Sequence, residues 1–438
     1  MSLKRSRRTF LKQAAAVGLA APVLSGRLAF GSALEKVNIA AVGVGGKGES
    51  DIAETSVGNN VVAICDVDEG RLAAAAQRYP QAKKYTDWRK MLEQKDIDAV
   101  TISTPDHTHA PVTMSAMALG KHVYTQKPLT HSVYEARQLT LAAKKHGIVS
   151  QMGIQHHATT RIKTAVQIVH DGVIGKVSEV HTWTDRPGSF WKQGLQRPET
   201  GDAVPAGLHW ENWLGVAPKR PFKQGLYHPF HWRGWWDFGT GALGDMGCHI
   251  MDPVVSALDL AAPTVVWAEG PAPDPDSGPL WCVVHYEFPG TKYTTEKLSM
   301  KWYEADRRPP REIFQAPVDW PGSLNGVLFI GEKGNLFVGF PENPVLFPVE
   351  KFADYKMPEI AEGNHYQQWT NAIRGEGQTS CPFAYSGPLT ETVLLGNVAY
   401  RTGQKIIWDS ENLKATGVPQ ADPFIKREYR HGWEVAGL

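Results

Sequence analysis

Cysteine is scarce in this chain, and long apolar runs are scarcer. Its 438 residues include only Cys65, Cys248, Cys282 and Cys381. The four lie far apart and form none of the close pairs that zinc sites or redox motifs use, so free buried thiols are the expectation. After residue 24 no uncharged apolar run approaches the ~20 residues that cross a bilayer, so no membrane contact is expected of the mature chain. An excess of one charge is also missing: 46 Lys and Arg face 45 Asp and Glu, a formal net charge of +1. Nucleic-acid binders show a basic stripe, and this balance argues against one. No internal repeat or long low-complexity stretch is visible. About 400 residues exceed one hydrophobic core and imply two domains.

The N-terminus carries a distinct signal. Residues 6–12 read SRRTFLK, followed by the apolar run AAAVGLAAPVL at 14–24. The paired arginines match a twin-arginine export address, and the run is too short to span a membrane. A signal over residues 1–34, with a cut near Ala33, and a periplasmic or otherwise exported product are expected. Removing that segment takes six basic residues and no acidic one, leaving 40 against 45 and a formal charge of −5. Twin-arginine export carries proteins already folded, often with a cofactor inside.

The first half reads as a nucleotide domain over residues 35–153. VNIAAVG (37–43) has the look of a buried parallel strand and runs into GVGGKG, residues 43–48. That fits G-x-G-x-x-G. Gly43 allows the tight turn, Gly45 the approach of backbone to pyrophosphate, and Gly48 close helix–strand packing. The phosphates would sit at the following helix N-terminus. A second strand, VVAICDV (61–67), ends on Asp66, 18 residues past Gly48, where an acid meets the ribose 2′-hydroxyl. An acid there repels a 2′-phosphate, so NAD is expected rather than NADP. Helices near 69–78, 87–94, 110–119 and 132–146 alternate with strands at 98–104, 122–126 and 148–153. That rhythm means a doubly wound parallel sheet.

Two segments fall at carboxyl ends of strands, where such sheets bind ligands. STPDHTHAP (103–111) offers Thr104, Pro105, His107 and His109 to the cofactor. The two histidines have ligand-like spacing, but a loop pair of this kind is more often hydrogen-bonded, and no metal is assigned. TQKPL (125–129) places Lys127 where its ammonium would lie beside a nicotinamide. Further on, Asp245 and His249 stand four apart in GALGDMGCHIMD (241–252), on one helix face and within expected hydrogen-bonding reach. Oxidising an alcohol needs a hydride acceptor and a base, and His suits the second task at neutral pH. The carboxylate would orient the imidazole.

Taken in order, GVGGKG, CDVD, STPDHTH, GKHVYTQKPL and GALGDMGCHIMD resemble the Gfo/Idh/MocA oxidoreductases, named after glucose–fructose oxidoreductase and inositol dehydrogenase. The resemblance spans roughly residues 36–410. It implies that Lys127, Asp245 and His249 line the substrate site. It also implies a C-terminal α+β domain with a large open mixed or antiparallel sheet that often pairs subunits. One departure stands out: the family's Glu-Lys-Pro is Gln126-Lys127-Pro128 here. Longer strands at 176–185, 281–288, 291–300 and 325–339, with helices at 365–374 and 388–402, match such a domain over 154–410. Residues 411–438 form a tail.

Seven of the fifteen tryptophans fall between Trp183 and Trp236. Aromatic faces pack on sugar C–H faces while polar neighbours bond hydroxyls. Trp183, Arg186, His228, His231, Trp235 and Trp236 are therefore expected around a carbohydrate. The main expectation is hydride transfer between a carbohydrate hydroxyl and tightly bound NAD. An NAD-dependent glycoside hydrolase and a non-catalytic sugar-binding protein are the alternatives.

Overall fold

The computed structural model describes residues 35–438, and the expected export signal lies outside the described residues. Strands β1 (Asn38–Val42), β2 (Asn60–Cys65), β3 (Lys83–Tyr85), β4 (Ala99–Ile102), β5 (His122–Gln126) and β6 (Ser150–Gly153) form one sheet in the order β3-β2-β1-β4-β5-β6. Every pairing is parallel. Strand order reverses between β1 and β4, which opens the ligand crevice of a doubly wound sheet. Helices cover both faces, so the central strands are apolar throughout; Ile39, Ala40 and Ala41 are fully buried.

Local signals set the helix ends. The Asp68 carboxylate accepts from the amides of Gly70 and Arg71 and starts the helix Glu69–Arg78. Ser132 and Glu135 form a capping box for Val133–His146, which Gly147 ends in the left-handed conformation. The helix expected at 87–94 is a single turn, Trp88–Met91. The short polar strand β3 has no apolar run to announce it.

The second sheet has nine strands among the described residues: β7 (Val177–Trp183), β8 (Val265–Glu269), β9 (Val283–Pro289), β10 (Thr294–Tyr303), β11 (Gly326–Gly331), β12 (Gly334–Gly339), β13 (Val345–Phe347), β14 (Ile406–Asp409) and β15 (Lys414–Thr416). Their order is β13-β12-β11-β7-β10-β9-β8-β14-β15. Only β7 and β10 pair in parallel, so the sheet is mixed. The single strand expected at 325–339 is a hairpin: Gly331 pairs with Gly334 across Glu332 and Lys333. Along β10, Leu298, Met300 and Trp302 are buried, while Lys297, Ser299 and Lys301 point the other way. One face therefore packs inward, joining a core with Leu243, Met246 and Leu394 from the helices Gly241–Ile250 and Phe383–Thr402.

The late helix starts five residues before the expected 388 and carries Pro388 inside it, because packing against its neighbours overrides local propensity. Another C-terminal helix, His365–Ile373, inserts Trp369 against Val37, Ile39, Ala99 and Tyr124 of the first sheet. The final residues are packed as well. Tyr429 donates to Glu135 Oε1 at 2.7 Å and Arg430 to Glu211 Oε2 at 2.6 Å. All four cysteines are unpaired and buried.

Candidate active site

A cleft of ≈ 720 Å³ runs from the glycine turn after β1 to the helix Gly241–Ile250. Its size is that of a small-molecule site. At one end the backbone geometry fits a dinucleotide. A Cβ on Gly43 would lie 2.5 Å from Ser103 O, and one on Gly48 would lie 1.9 Å from Gly43 O. Both positions need glycine. The helix Lys47–Thr55 begins at Gly46 with no side-chain cap; the Gly48 amide donates to Gly45 O at 3.2 Å, and the Lys47 amide before it is left for a phosphate. Gly45 and Asp66 line the cleft here, with Arg71 lying against Gly45. The Asp66 carboxylate accepts from Val44 N–H at 2.9 Å and Asp68 N–H at 3.0 Å. It thus braces the glycine turn while facing the ribose position. Burial raises its pKa, and the two amides oppose that.

At the other end, Lys127 leaves the carboxyl end of β5 on a cis Lys127–Pro128 peptide. Its Nζ donates to Asp245 O and Asp245 Oδ1, both at 2.8 Å. Arg233 Nε reaches the same Oδ1 at 3.2 Å, and Arg186 Nη1 stands 3.6 Å from Oδ2. Burial pushes the Asp245 carboxyl up, but the Lys127, Arg233 and Arg186 charges outweigh it and hold the group well below the usual carboxylate range. The expected Asp245–His249 hydrogen bond is not made. Three cations outcompete the imidazole for the carboxylate. His249 lines the cleft, its Nδ1 is buried without a partner, and its ring meets His156 edge-on at 5.7 Å. Burial, with the Lys127 charge, pushes its pKa well below the ordinary value. The imidazole is therefore neutral.

Gln126, where the family has Glu, donates from Nε2 to Asp51 Oδ2 at 2.8 Å. Asp51 also accepts from Ser103, from Tyr366 and from Lys47, the last at 3.0 Å. The carboxylate missing at 126 is thus supplied from the first helix.

Thr104, Pro105, Lys127, Arg186 and His228 line the cleft, and His228 bonds Asp68 at 2.9 Å. His107 and His109 do not. His107 nitrogens face the carbonyls of Phe238 and Trp213, and those of His109 face Pro128 and Thr104. Burial pushes the two imidazoles down to about 3 and about 4. They are neutral loop fasteners. Among the described residues no group of three or more His, Cys, Asp and Glu is placed to hold a metal ion.

The tryptophan expectation is corrected in four of its six residues. Trp183 packs against Phe314 and Phe337, and Trp235 sits in a cluster with Trp210, Trp213, Tyr227 and Phe238. Trp236 is core, and His231 is exposed. Residues 184–240 hold little regular structure, so large rings close a core of their own. Their indole N–H groups end on carbonyls: Trp183 on Ser323, Trp235 on Leu226, Trp236 on Asp274. Trp191, Trp213 and Trp232 line the cleft while themselves largely buried. Asp106 was missed, although it follows β4 at a strand's carboxyl end. Burial pushes its carboxyl up to about 7 against a hydrogen bond from Thr240, which donates at 2.6 Å.

The fold and cleft define a two-domain dinucleotide-binding protein with a Lys, Asp and His cluster facing the nucleotide groove. Two family models extend that result: "Oxidoreductase family, NAD-binding Rossmann fold" matches residues 37–154, and "Oxidoreductase family, C-terminal alpha/beta domain" matches residues 158–294. The chain belongs to the Gfo/Idh/MocA oxidoreductase family. It is 25% identical over 189 residues to a levoglucosan dehydrogenase of Pseudarthrobacter phenanthrenivorans, covering 43% of this chain and 40% of that protein. It is 31% identical over 145 residues to an inositol 2-dehydrogenase of Salmonella typhimurium, covering 32% and 43%. The chain thus spans about two fifths of the length of the curated relatives it matches. Among solved structures, the WlbA dehydrogenase from Bordetella pertussis, in complex with NADH and UDP-GlcNAcA, superposes with TM-score 0.60 at 17% identity, over 85% of this chain and 99% of that one. A levoglucosan dehydrogenase bound to NADH and levoglucosan gives 0.56 at 16%, over 85% and 99%.

Proposed function

We propose that the protein transfers hydride between a carbohydrate CH–OH and a tightly held NAD. The observation that carries this is the meeting of Lys127, Asp245 and His249 in one cleft with the glycine turn. NAD, when bound, supplies the hydride acceptor. The side chains do the rest. Two of the three Lys127 ammonium protons are held by Asp245, which leaves the third for a substrate oxygen. Neutral His249 takes the hydroxyl proton as the carbonyl forms, and Lys127 stabilises the developing oxygen charge. Trp191 and Trp232 add apolar wall to the cleft beside the sugar site. The named relatives are sugar and inositol dehydrogenases, which favours oxidoreduction over net glycosidic cleavage.

The same proposal covers export and assembly. A twin-arginine product would leave the cytoplasm with NAD already bound, and a nucleotide reduced and reoxidised on the same protein would need no external pool. The outward face of the second sheet, with half-buried Trp267, His285 and Lys301, would pair subunits. The test is to purify the protein, release and identify its nucleotide, and supply sugars with no NAD added. Sustained turnover with bound NAD supports the reading. An empty protein that needs stoichiometric NAD is an ordinary dehydrogenase, and one that never changes the nucleotide's redox state is no oxidoreductase.

A further inference from the structure

The substrate end of the cleft holds more positive charge than its own carboxylates match. Lys127, Arg186 and Arg233 face Asp245 and the buried Asp106. Asp106 already accepts from Thr240, and Asp245 is shared three ways. Even with both acids ionised, one positive charge is left over. A nucleotide held at the glycine turn would place its phosphates at the other end, where Lys47 and Arg71 line the cleft, and would not supply it.

Arg186 makes the imbalance specific. At 3.6 Å its Nη1 is beyond hydrogen-bonding distance of Asp245, and the acceptor it does meet is Met246 Sδ at 3.0 Å, a weak one. Aromatic rings hold it in place instead: its guanidinium lies 4.2 Å from the Phe190 ring and 5.7 Å from Trp191. Arg233 is also flanked by rings, 4.2 Å from Phe230 and 4.3 Å from Trp232, while its Nε and Nη1 donate to Asp245 Oδ1 and Phe230 O. Their side chains are 24% and 20% exposed, and both line the cleft. Nη2 of each has no protein acceptor among the described residues. A guanidinium placed by aromatic faces, with a free edge toward a partly desolvated cleft, is built to receive an anion.

Resting on the proposed carbohydrate oxidoreduction, we infer that the substrate is an acidic carbohydrate whose carboxylate or phosphate group is bound by Arg186 and Arg233. The ring then points toward Lys127 and His249. A neutral sugar would leave the surplus cation without a partner.

The experiment titrates the NAD-loaded protein with D-glucuronate, D-glucose 6-phosphate and D-glucose, following heat and nucleotide absorbance. At least one acidic sugar should bind about 10–100-fold tighter than glucose, the worth of a charged hydrogen bond. Which acid wins separates carboxylate from phosphate. Arg186→Met should collapse that preference toward unity, and raising salt to about 0.5 M should weaken the acidic sugar selectively. The salt result stands even if the variant fails to fold. Glucose binding as tightly as both acids, or a preference indifferent to salt, overturns the acidic assignment alone. Failure of all three to bind or to alter the nucleotide overturns the oxidoreductase reading and this inference with it.

Discussion

Replacing Gln126 with the family's glutamate should harm this particular chain, in a way that depends on pH. Gln126 and Asp51 are 5% and 0% exposed, and the amide nitrogen lies 2.8 Å from Asp51 Oδ2. In Gln126→Glu a second carboxylate takes that place. Two charges about 3 Å apart repel by about 5 kcal/mol at an effective dielectric near 20. The alternative is to protonate one of them, so that an O–H replaces the lost N–H donor. That costs about 1.4 kcal/mol for each pH unit above the ordinary Glu value near 4.3, hence about 5 kcal/mol at pH 8 and about 1 kcal/mol at pH 5. Lys47, 3.0 Å from Asp51 but 44% exposed, softens the upper figure, so about 3–5 kcal/mol is expected at pH 8. The sign follows from linkage: the variant's raised folded pKa means stability is retained at low pH and lost as pH climbs through it. Urea midpoints of both proteins at about pH 5 and about pH 8 measure this. Adding Asp51→Asn should abolish the pH-dependent loss. Equal destabilisation at both pH values, or no rescue by Asp51→Asn, would refute the assigned carboxylate contact.

Three further outcomes are expected. His249→Ala should lower turnover ~10²–10⁴-fold with nucleotide affinity nearly unchanged; because burial depresses this imidazole, the acid limb of native activity should fall well below the ordinary His value near 6.5. A limb centred at 6.5, or a variant with near-native turnover, would move the base elsewhere, first to Lys127. Asp66→Ala should weaken NAD binding by ~1.5–3 kcal/mol by calorimetry and erode discrimination against NADP, and a native preference for NADP would contradict it. Asp106→Asn should be more stable than native protein by up to about 4 kcal/mol above pH 7, shrinking toward pH 5, because the raised native pKa means stability is lost as pH rises through about 7. Parallel denaturation curves at both pH values would exclude that.

The parallel first sheet and its glycine turn were legible from residue order, because the signals are local. A buried strand, G-x-G-x-x-G and an acid 18 residues on each constrain the backbone within a few positions. The helix Glu69–Arg78 fell where its Asp68 cap placed it. Lys127 could be named because a strand's carboxyl end is a recognisable address.

Partnership was another matter. Asp245 and His249 share a helix face, and sequence spacing paired them. Yet the carboxylate went to Lys127, which is 118 residues away, and to Arg233 and Arg186. Charge attraction in a desolvated cleft outweighs helical proximity. The tryptophan-rich stretch shows the same limit. Composition marked it as aromatic and irregular, but only the tertiary fold sorted Trp191 and Trp232 toward the cleft and Trp183, Trp235 and Trp236 into core. Without periodicity a sequence carries no inside and outside. The chain by itself thus determined the parallel, doubly wound class of the first sheet, the nucleotide turn and the chemical types at the site. Which charges meet, which rings face the ligand and what neutralises Gln126's neighbourhood were decided when distant segments packed, because burial and Coulomb energy depend on distance in space and not along the chain.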